Sequence, residues 1–112
     1  MTQHQEDLYL RHKLESAEKA EQFSTGISRA AFDPDEVLRL ALLHLIQMIG
    51  EAARGVSAEF QGNHPEIPWK VITGMRHRIM HGYADVDEDV VWATIHEDLL
   101  PLIASLKMVL GE

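Results

Sequence analysis

At 112 residues the chain is long enough for one packed domain and too short for two, and its 46% hydrophobic and 25% charged residues exclude both the disordered and the membrane classes. It has no cysteine, which excludes disulfides and thiolate chemistry and points to the cytoplasm. Its net charge of −8 excludes a general nucleic-acid binder, yet residues 67–84 carry Lys70, Arg76 and Arg78 with no Asp or Glu, a local +3 that leaves −11 (−8 less +3) on the rest.

The polar, acidic start MTQHQEDLYL lacks the basic and apolar regions of a signal peptide, in keeping with a cytoplasmic protein. Residues 3 to 23 read as a first helix, with Leu10, Leu14, Ala17 and Ala20 at helical spacing and Thr25-Gly26 as its stop. Asp33, Pro34 and Glu36 form a helix-start signal: Asp33 as cap, Pro34 in the first position, and Glu36 closing a capping box. The second helix, residues 34 to 55, is apolar around most of its circumference, so burial on several sides is expected, including against a second copy of the chain. That stretch, interrupted by Arg39, His44 and Gln47, falls far short of the roughly 20 apolar residues of a membrane span.

Residues 57 to 68, with Gly62, Asn63, Pro65 and Pro68, read as a loop. A third helix is predicted from Pro68 to about Gly82. The acid-x-x-Glu signal at Asp85 and Glu88 starts the last helix, which reaches about Leu110 with Val90, Val91, Ile95, Leu99, Leu102, Ile103 and Leu106 inward. Pro101 must kink or divide it. No segment alternates like a strand, so the expectation is a single all-α domain over residues 1–112, an up-and-down bundle of four helices, or five if the break at Pro101 is complete.

The basic island contains MRHRIMHGY, residues 75 to 83. His77 and His81, at i and i+4, share a helix face and could form half of a zinc site, with Asp85 or His44 as the available third ligands. Against zinc, Arg78 stands where the metalloprotease pattern has its glutamate. No serine lies in a nucleophile-elbow motif, which removes the hydrolase patterns. Phosphodiester chemistry suits the residue types: a histidine moves the proton of an RNA 2′-hydroxyl while an arginine holds the phosphate, with no metal. Arg76 and His81 are five residues apart, about 140° around an ideal helix, so they converge only if the helix end bends or a second subunit completes the site. The plainer account also stays open, since basic residues near a helix C-terminus are favoured by the macrodipole.

Arg76, four intervening residues, His81, Gly82 and Tyr83 match R-x4-H-x-Y. With Ile67-Pro68-Trp69, Gly74-Met75, Ile49-Gly50-Glu51-Ala52-Ala53, Val91-Trp92-Ala93-Thr94-Ile95 and Asp98-Leu99-Leu100-Pro101-Leu102, the chain resembles the HepT-like toxins of the HEPN superfamily. The resemblance implies a homodimer whose two R-x4-H motifs form one metal-independent endoribonuclease site, in a toxin cleaving tRNA or mRNA without a cofactor. Arg76 then binds the scissile phosphate and His81 is the general base or acid. His77 stands where the family often has a polar residue, with orienting RNA or assisting proton transfer both open to it, and Arg78 and Lys70 are secondary RNA contacts whose solvated-surface reading weighs at least as much. Tyr83 matches the tyrosine that receives AMP from a MntA-type nucleotidyltransferase antitoxin. Glu51 and Arg54 are assigned to structure, as are Trp69 and Trp92; His4, His12, His44, His64 and His96 get no role. The rival expectation from the acidic bulk is a non-catalytic helical partner that presents substrate to a minimal nucleotidyltransferase.

Overall fold

The computed structural model describes residues 2–54, 56–79 and 86–112, and the side chains of these apart from residues 52–54 and 75–79. Helix α1, Gln3–Ser24, opens with a reciprocal cap: the Gln5 N–H donates to Thr2 Oγ1 at 3.1 Å and the Thr2 N–H to Gln5 Oε1 at 2.8 Å. Its apolar stripe is buried at Leu10, Leu14, Ala17 and Ala20, as the spacing predicts, and Gly26 leaves the helix at φ +75°. A short helix α2, Arg29–Phe32, follows, and α3 spans Glu36–Arg54.

The α3 cap is Asp35, whose carboxylate accepts from the Leu38 N–H at 3.0 Å, and this corrects the assignment to Asp33. Asp33 instead closes α2 and pairs with Arg29 at 2.6 Å. The reason lies in Phe32, fully buried and 5.1 Å from the Trp92 ring: seating it keeps residues 29–33 in their own helical turn, so the next helix starts two residues later.

Residues 57 to 68 are likewise more than a loop. Ser57 accepts from the Phe60 N–H at 3.1 Å and starts α4, Ala58–Asn63, which turns Phe60 into the core. Helix α5, Trp69–Ile79, begins where predicted, with Ile72 N–H donating to Pro68 O at 3.0 Å. The expected stop at Gly82 lies outside the described residues.

The last helical run starts at Glu88, capped by Asp87 Oδ1 accepting from the Asp89 and Val90 N–H groups; the cap at Asp85 lies outside the described residues. The run comprises α6, Glu88–Ala93, a π turn, Thr94–Asp98, and α7, Leu99–Leu110. Pro101 neither breaks nor divides α7 at its own position. Its ring would clash with the carbonyl four residues back, at residue 97, and the wider π turn occupies that place.

The described residues contain no strand, and the chain is all-α. Helix α1 packs on α3 and α7, α3 on α5, and α5 on α6. Arg11 meets Glu112 and Glu18 meets Lys107, so α1 runs antiparallel to α7; Tyr9 meets Glu51 and Lys13 meets Met48, so it runs antiparallel to α3 as well. The four long predicted helices are therefore present, with α2 and α4 as short additions at their joints. Among the described residues, no helix is long and apolar enough to cross a membrane.

Helix α3 buries Leu42, Leu45, Ile46 and Ile49 on one side. The other side leaves Val37 79%, Leu40 57% and Met48 38% exposed, with exposed His44 between them. A single chain thus covers only part of this helix.

Candidate functional site

Helix α5 carries the basic island. It is anchored at its start by Trp69, whose indole Nε1–H donates to His64 O at 2.9 Å and whose ring lies 6.2 Å from Phe60. Ile72 is buried one turn on, while Lys70 and Thr73 face solvent, so the helix has a packed and a wet face. Arg76 follows Ile72 by four residues and His77 follows Thr73 by four. Arg76, His77 and Arg78 thus stand in regular helical backbone. Their side chains, and the whole of His81 and Tyr83, lie outside what is described, as do the side chain of Arg54 and all of Asp85. Of the proposed RNA contacts, Lys70 is described and is exposed.

Both tryptophans are half-buried structural residues. Trp69 packs against the core and ties the α4–α5 joint, and Trp92 lies between Phe32 at 5.1 Å and His96 at 4.0 Å, with the Arg29 guanidinium 5.9 Å from its ring. Arg29 bridges Asp33 and Asp89 at 2.6 and 2.7 Å, and these hydrogen bonds raise its pKa. His96 Nδ1–H donates to Trp92 O at 2.9 Å. His4, His12 and His44 are exposed. Among the described residues, no group of three or more His, Asp or Glu is arranged for a metal ion.

Two charged residues of α1 escape the sequence reading. Glu6 and Lys13 are 9% and 8% exposed, on the stripe that buries Leu10 and Ala17. Lys13 Nζ donates to Met48 O at 2.6 Å and stands 5.4 Å from the centre of the Tyr9 ring. Burial pushes the Lys13 pKa down, with Glu51 opposing. The signal was available: positions 6, 10, 13, 17 and 20 alternate steps of four and three, the pattern of one helix face.

Open clefts lie among the described residues, one of them, about 340 Å³, between α1 and α7 beside Arg11, Glu18 and Lys107. About 450 Å³ opens along the α6–π face beside Asp87, Val90, Ala93, Thr94 and Glu97; about 240 Å³ lies between α1 and α4; and about 170 Å³ lies over Lys13, between α1 and α3. The cleft on the α6–π face is rimmed by carboxylates and repels phosphate.

The family described as ribonuclease HepT-like matches residues 13–109. A candidate RNase of Caldanaerobacter subterraneus subsp. tengcongensis is 35% identical over 102 residues, covering 91% of each chain. A protein of Thermococcus cleftensis named probable ribonuclease HepT is 35% identical over 91 residues, 81% of this chain and 83% of its own. A candidate RNase of Methanocaldococcus jannaschii is 29% identical over 96 residues, 86% of this chain and 88% of its own. No solved structure matches.

Proposed function

The chain belongs to the HepT-like ribonuclease family and is an endoribonuclease, and from that premise we propose that it cuts RNA without a metal, through Arg76 and His81 contributed by two copies of the chain. His81 takes the proton of the 2′-hydroxyl; the 2′-oxygen then forms a bond to phosphorus as the bond from phosphorus to the 5′-oxygen breaks. The products are a 2′,3′-cyclic phosphate and a 5′-hydroxyl, whose proton comes from the protonated histidine of the partner motif. Arg76 neutralises the charge gathering on the non-bridging oxygens, a role that suits its fixed fork of donors. His77, Arg78 and the exposed Lys70 hold the neighbouring phosphates.

The observation that carries this reading is the match over residues 13–109, which contains the whole of R-x4-H-x-Y. The unburied apolar side of α3, Val37, Leu40 and Met48, supports a homodimer, because a second copy would cover it. We assign the protein to the cytoplasm as the toxin of a toxin–antitoxin pair acting on tRNA or mRNA. Its antitoxin, a MntA-type nucleotidyltransferase, transfers AMP from ATP to the Tyr83 phenol oxygen with release of pyrophosphate. The adenylate then sets an anion beside Arg76 and His81 and competes with the RNA phosphate.

The test uses unmodified protein free of its antitoxin. It should cut tRNA or mRNA in EDTA, leave cyclic phosphate ends, and lose at least a hundredfold in rate in both Arg76→Ala and His81→Ala. Intact RNA with the native chain, or equal cutting by His81→Ala, sinks the proposal. Growth arrest on expression that Arg76→Ala relieves excludes the rival non-catalytic partner.

A further inference from the structure

Helix α7 is apolar on the side that faces solvent as well as on the side that faces the core. Leu99, Leu102, Ile103 and Leu106 are buried, yet Leu100 is 59% and Met108 61% exposed, with Pro101 and Ala104 exposed between them. At about 100° per residue, these last four lie within roughly 100° of arc. Lys107 is the single charged residue of the helix. A helix that is apolar all round is normally buried all round, so the outer side of α7 calls for a cover. Helix α1 packs on both α3 and α7, and the α7 stripe is therefore a second apolar side, distinct from that of α3.

Towards the start of the helix the stripe runs on into the open cleft of about 450 Å³ on the α6–π face, where Val90 and Ala93 supply apolar lining. Glu97 lines that cleft and stands one turn before Leu100 and Pro101. The track suits one helix of a partner: Leu100, Ala104 and Met108 recur every four residues over about 12 Å, and short Ala104 leaves room for a larger side chain between its neighbours.

Charge decides which helix fits. Residues 86–98 hold Asp87, Glu88, Asp89, Glu97 and Asp98 and no Lys or Arg. Arg39 and Arg29 pair with Glu88 and Asp89 at 3.3 and 2.7 Å, while Glu97 is exposed where cleft and stripe join. Lys107 lies 3.7 Å from Glu18, so its charge is answered within the chain. An apolar strip edged by carboxylates matches an amphipathic helix whose apolar face is flanked by Lys or Arg. A second copy fits worse, because it brings the same acidic edge and because so few side chains fall well short of the about 800 Å² per partner of a stable dimer.

We propose that the outer side of α7, continued by the α6–π cleft, docks a partner protein through a cationic amphipathic helix. The apolar face of that helix lies on Leu100, Ala104 and Met108, and its Lys or Arg side chains meet Glu97 and the acidic residues beside it.

The probe is a synthetic helix about five turns long, Leu on one face and Lys on the other, titrated into the isotope-labelled full chain and followed by amide shifts. A Leu/Glu counterpart and a Leu/Lys peptide of scrambled order are the controls. The Leu/Lys helix should bind with shifts within residues 90–108, and each control should bind roughly tenfold more weakly or less. Leu100→Ser with Met108→Ser, which leaves the net charge unchanged, should weaken binding roughly tenfold, and Glu97→Lys should weaken it severalfold. No binding, equal binding of the scrambled peptide, unchanged affinity in the folded double variant, or shifts confined to the α3 side at Val37, Leu40 and Met48 overturns the proposal. Sedimentation in which the double variant splits the native assembly also overturns it, because the stripe is then a contact between copies. Should the double variant not fold, Glu97→Lys at an exposed position decides: weakened binding supports the site, and unchanged binding refutes it.

Discussion

Replacing Lys13 tests how α1 is held on α3. The residue buries its stem among core residues and donates its ammonium to the Met48 carbonyl at 2.6 Å. Lys13→Ala removes three buried methylenes, at about 0.8 kcal/mol each, and a charged hydrogen bond of roughly 1.5–3 kcal/mol. Against these stands the relief of an ammonium drawn out of water, so a net loss of about 2–4 kcal/mol is expected. Lys13→Met keeps the stem, drops the charge and gives up the same hydrogen bond, and should stay within about 1 kcal/mol of the native chain. At about 4 °C per kcal/mol, the alanine variant should melt roughly 8–16 °C lower and the methionine variant within about 4 °C.

The pH dependence supplies the second readout. Burial holds the folded-state pKa of Lys13 below its ordinary 10.5. Between the folded and unfolded values the unfolded chain binds the extra proton, so this residue adds stability as pH rises through that window, and its penalty is complete below it. Urea unfolding from pH 7 to 10 should show a rise in the native chain that Lys13→Met lacks. Equal losses in the alanine and methionine variants, or an unchanged pH slope in Lys13→Met, would refute the reasoning that the stem stabilises and the charge costs.

Leu40→Glu, on the exposed side of α3, should leave the melting temperature of the monomer nearly unchanged while sedimentation shows loss of the dimer and RNA cleavage falls with it; a dimer that persists removes α3 from the interface. Phe32→Ala should cost about 3–5 kcal/mol in urea unfolding, because a fully buried ring 5.1 Å from Trp92 leaves a cavity and unseats α2. Ser57→Ala should cost about 1 kcal/mol by freeing the Phe60 N–H, and exchange at that amide should accelerate. Tyr83→Phe should abolish the added AMP mass on co-expression with the cognate nucleotidyltransferase while leaving RNA cleavage within a fewfold of native.

What the sequence made legible was whatever depends on a single helix's period. Leu10, Leu14, Ala17 and Ala20 on α1, and Val91, Ile95, Leu99, Leu102, Ile103 and Leu106 on the last run, are all buried as their spacing requires. What depends on contacts between elements was not legible. Asp33 and Asp35 are both good caps by type, and the choice between them is made by Phe32 packing on Trp92, sixty residues away. Residues 57–68 hold enough Gly, Asn and Pro to read as loop, yet Ser57 caps a turn because Phe60 has a core to enter. The strain of Pro101 is absorbed one turn upstream, since the clash belongs to the carbonyl at 97 and not to the proline's own position. The candidate site was legible by motif resemblance more than by physics: spacing alone put Arg76 and His81 on different faces of one helix, and periodicity has no means of announcing a second chain.

The charge distribution gives the proposed site its economy. A ribonuclease with broad basic surface would bind any RNA through its backbone, since phosphate contacts supply most non-specific affinity. This chain confines its positive run to residues 67–84 and carries −11 elsewhere, so RNA meets attraction along α5 and repulsion on most other faces. With a screening length of about 8 Å at physiological salt, that attraction is local, and three cations per copy give modest affinity. Productive binding then needs a further contact that does not depend on phosphate. The acidity that argues against a general nucleic-acid binder is thus compatible with, and useful to, an enzyme that must cut few RNAs rather than all of them.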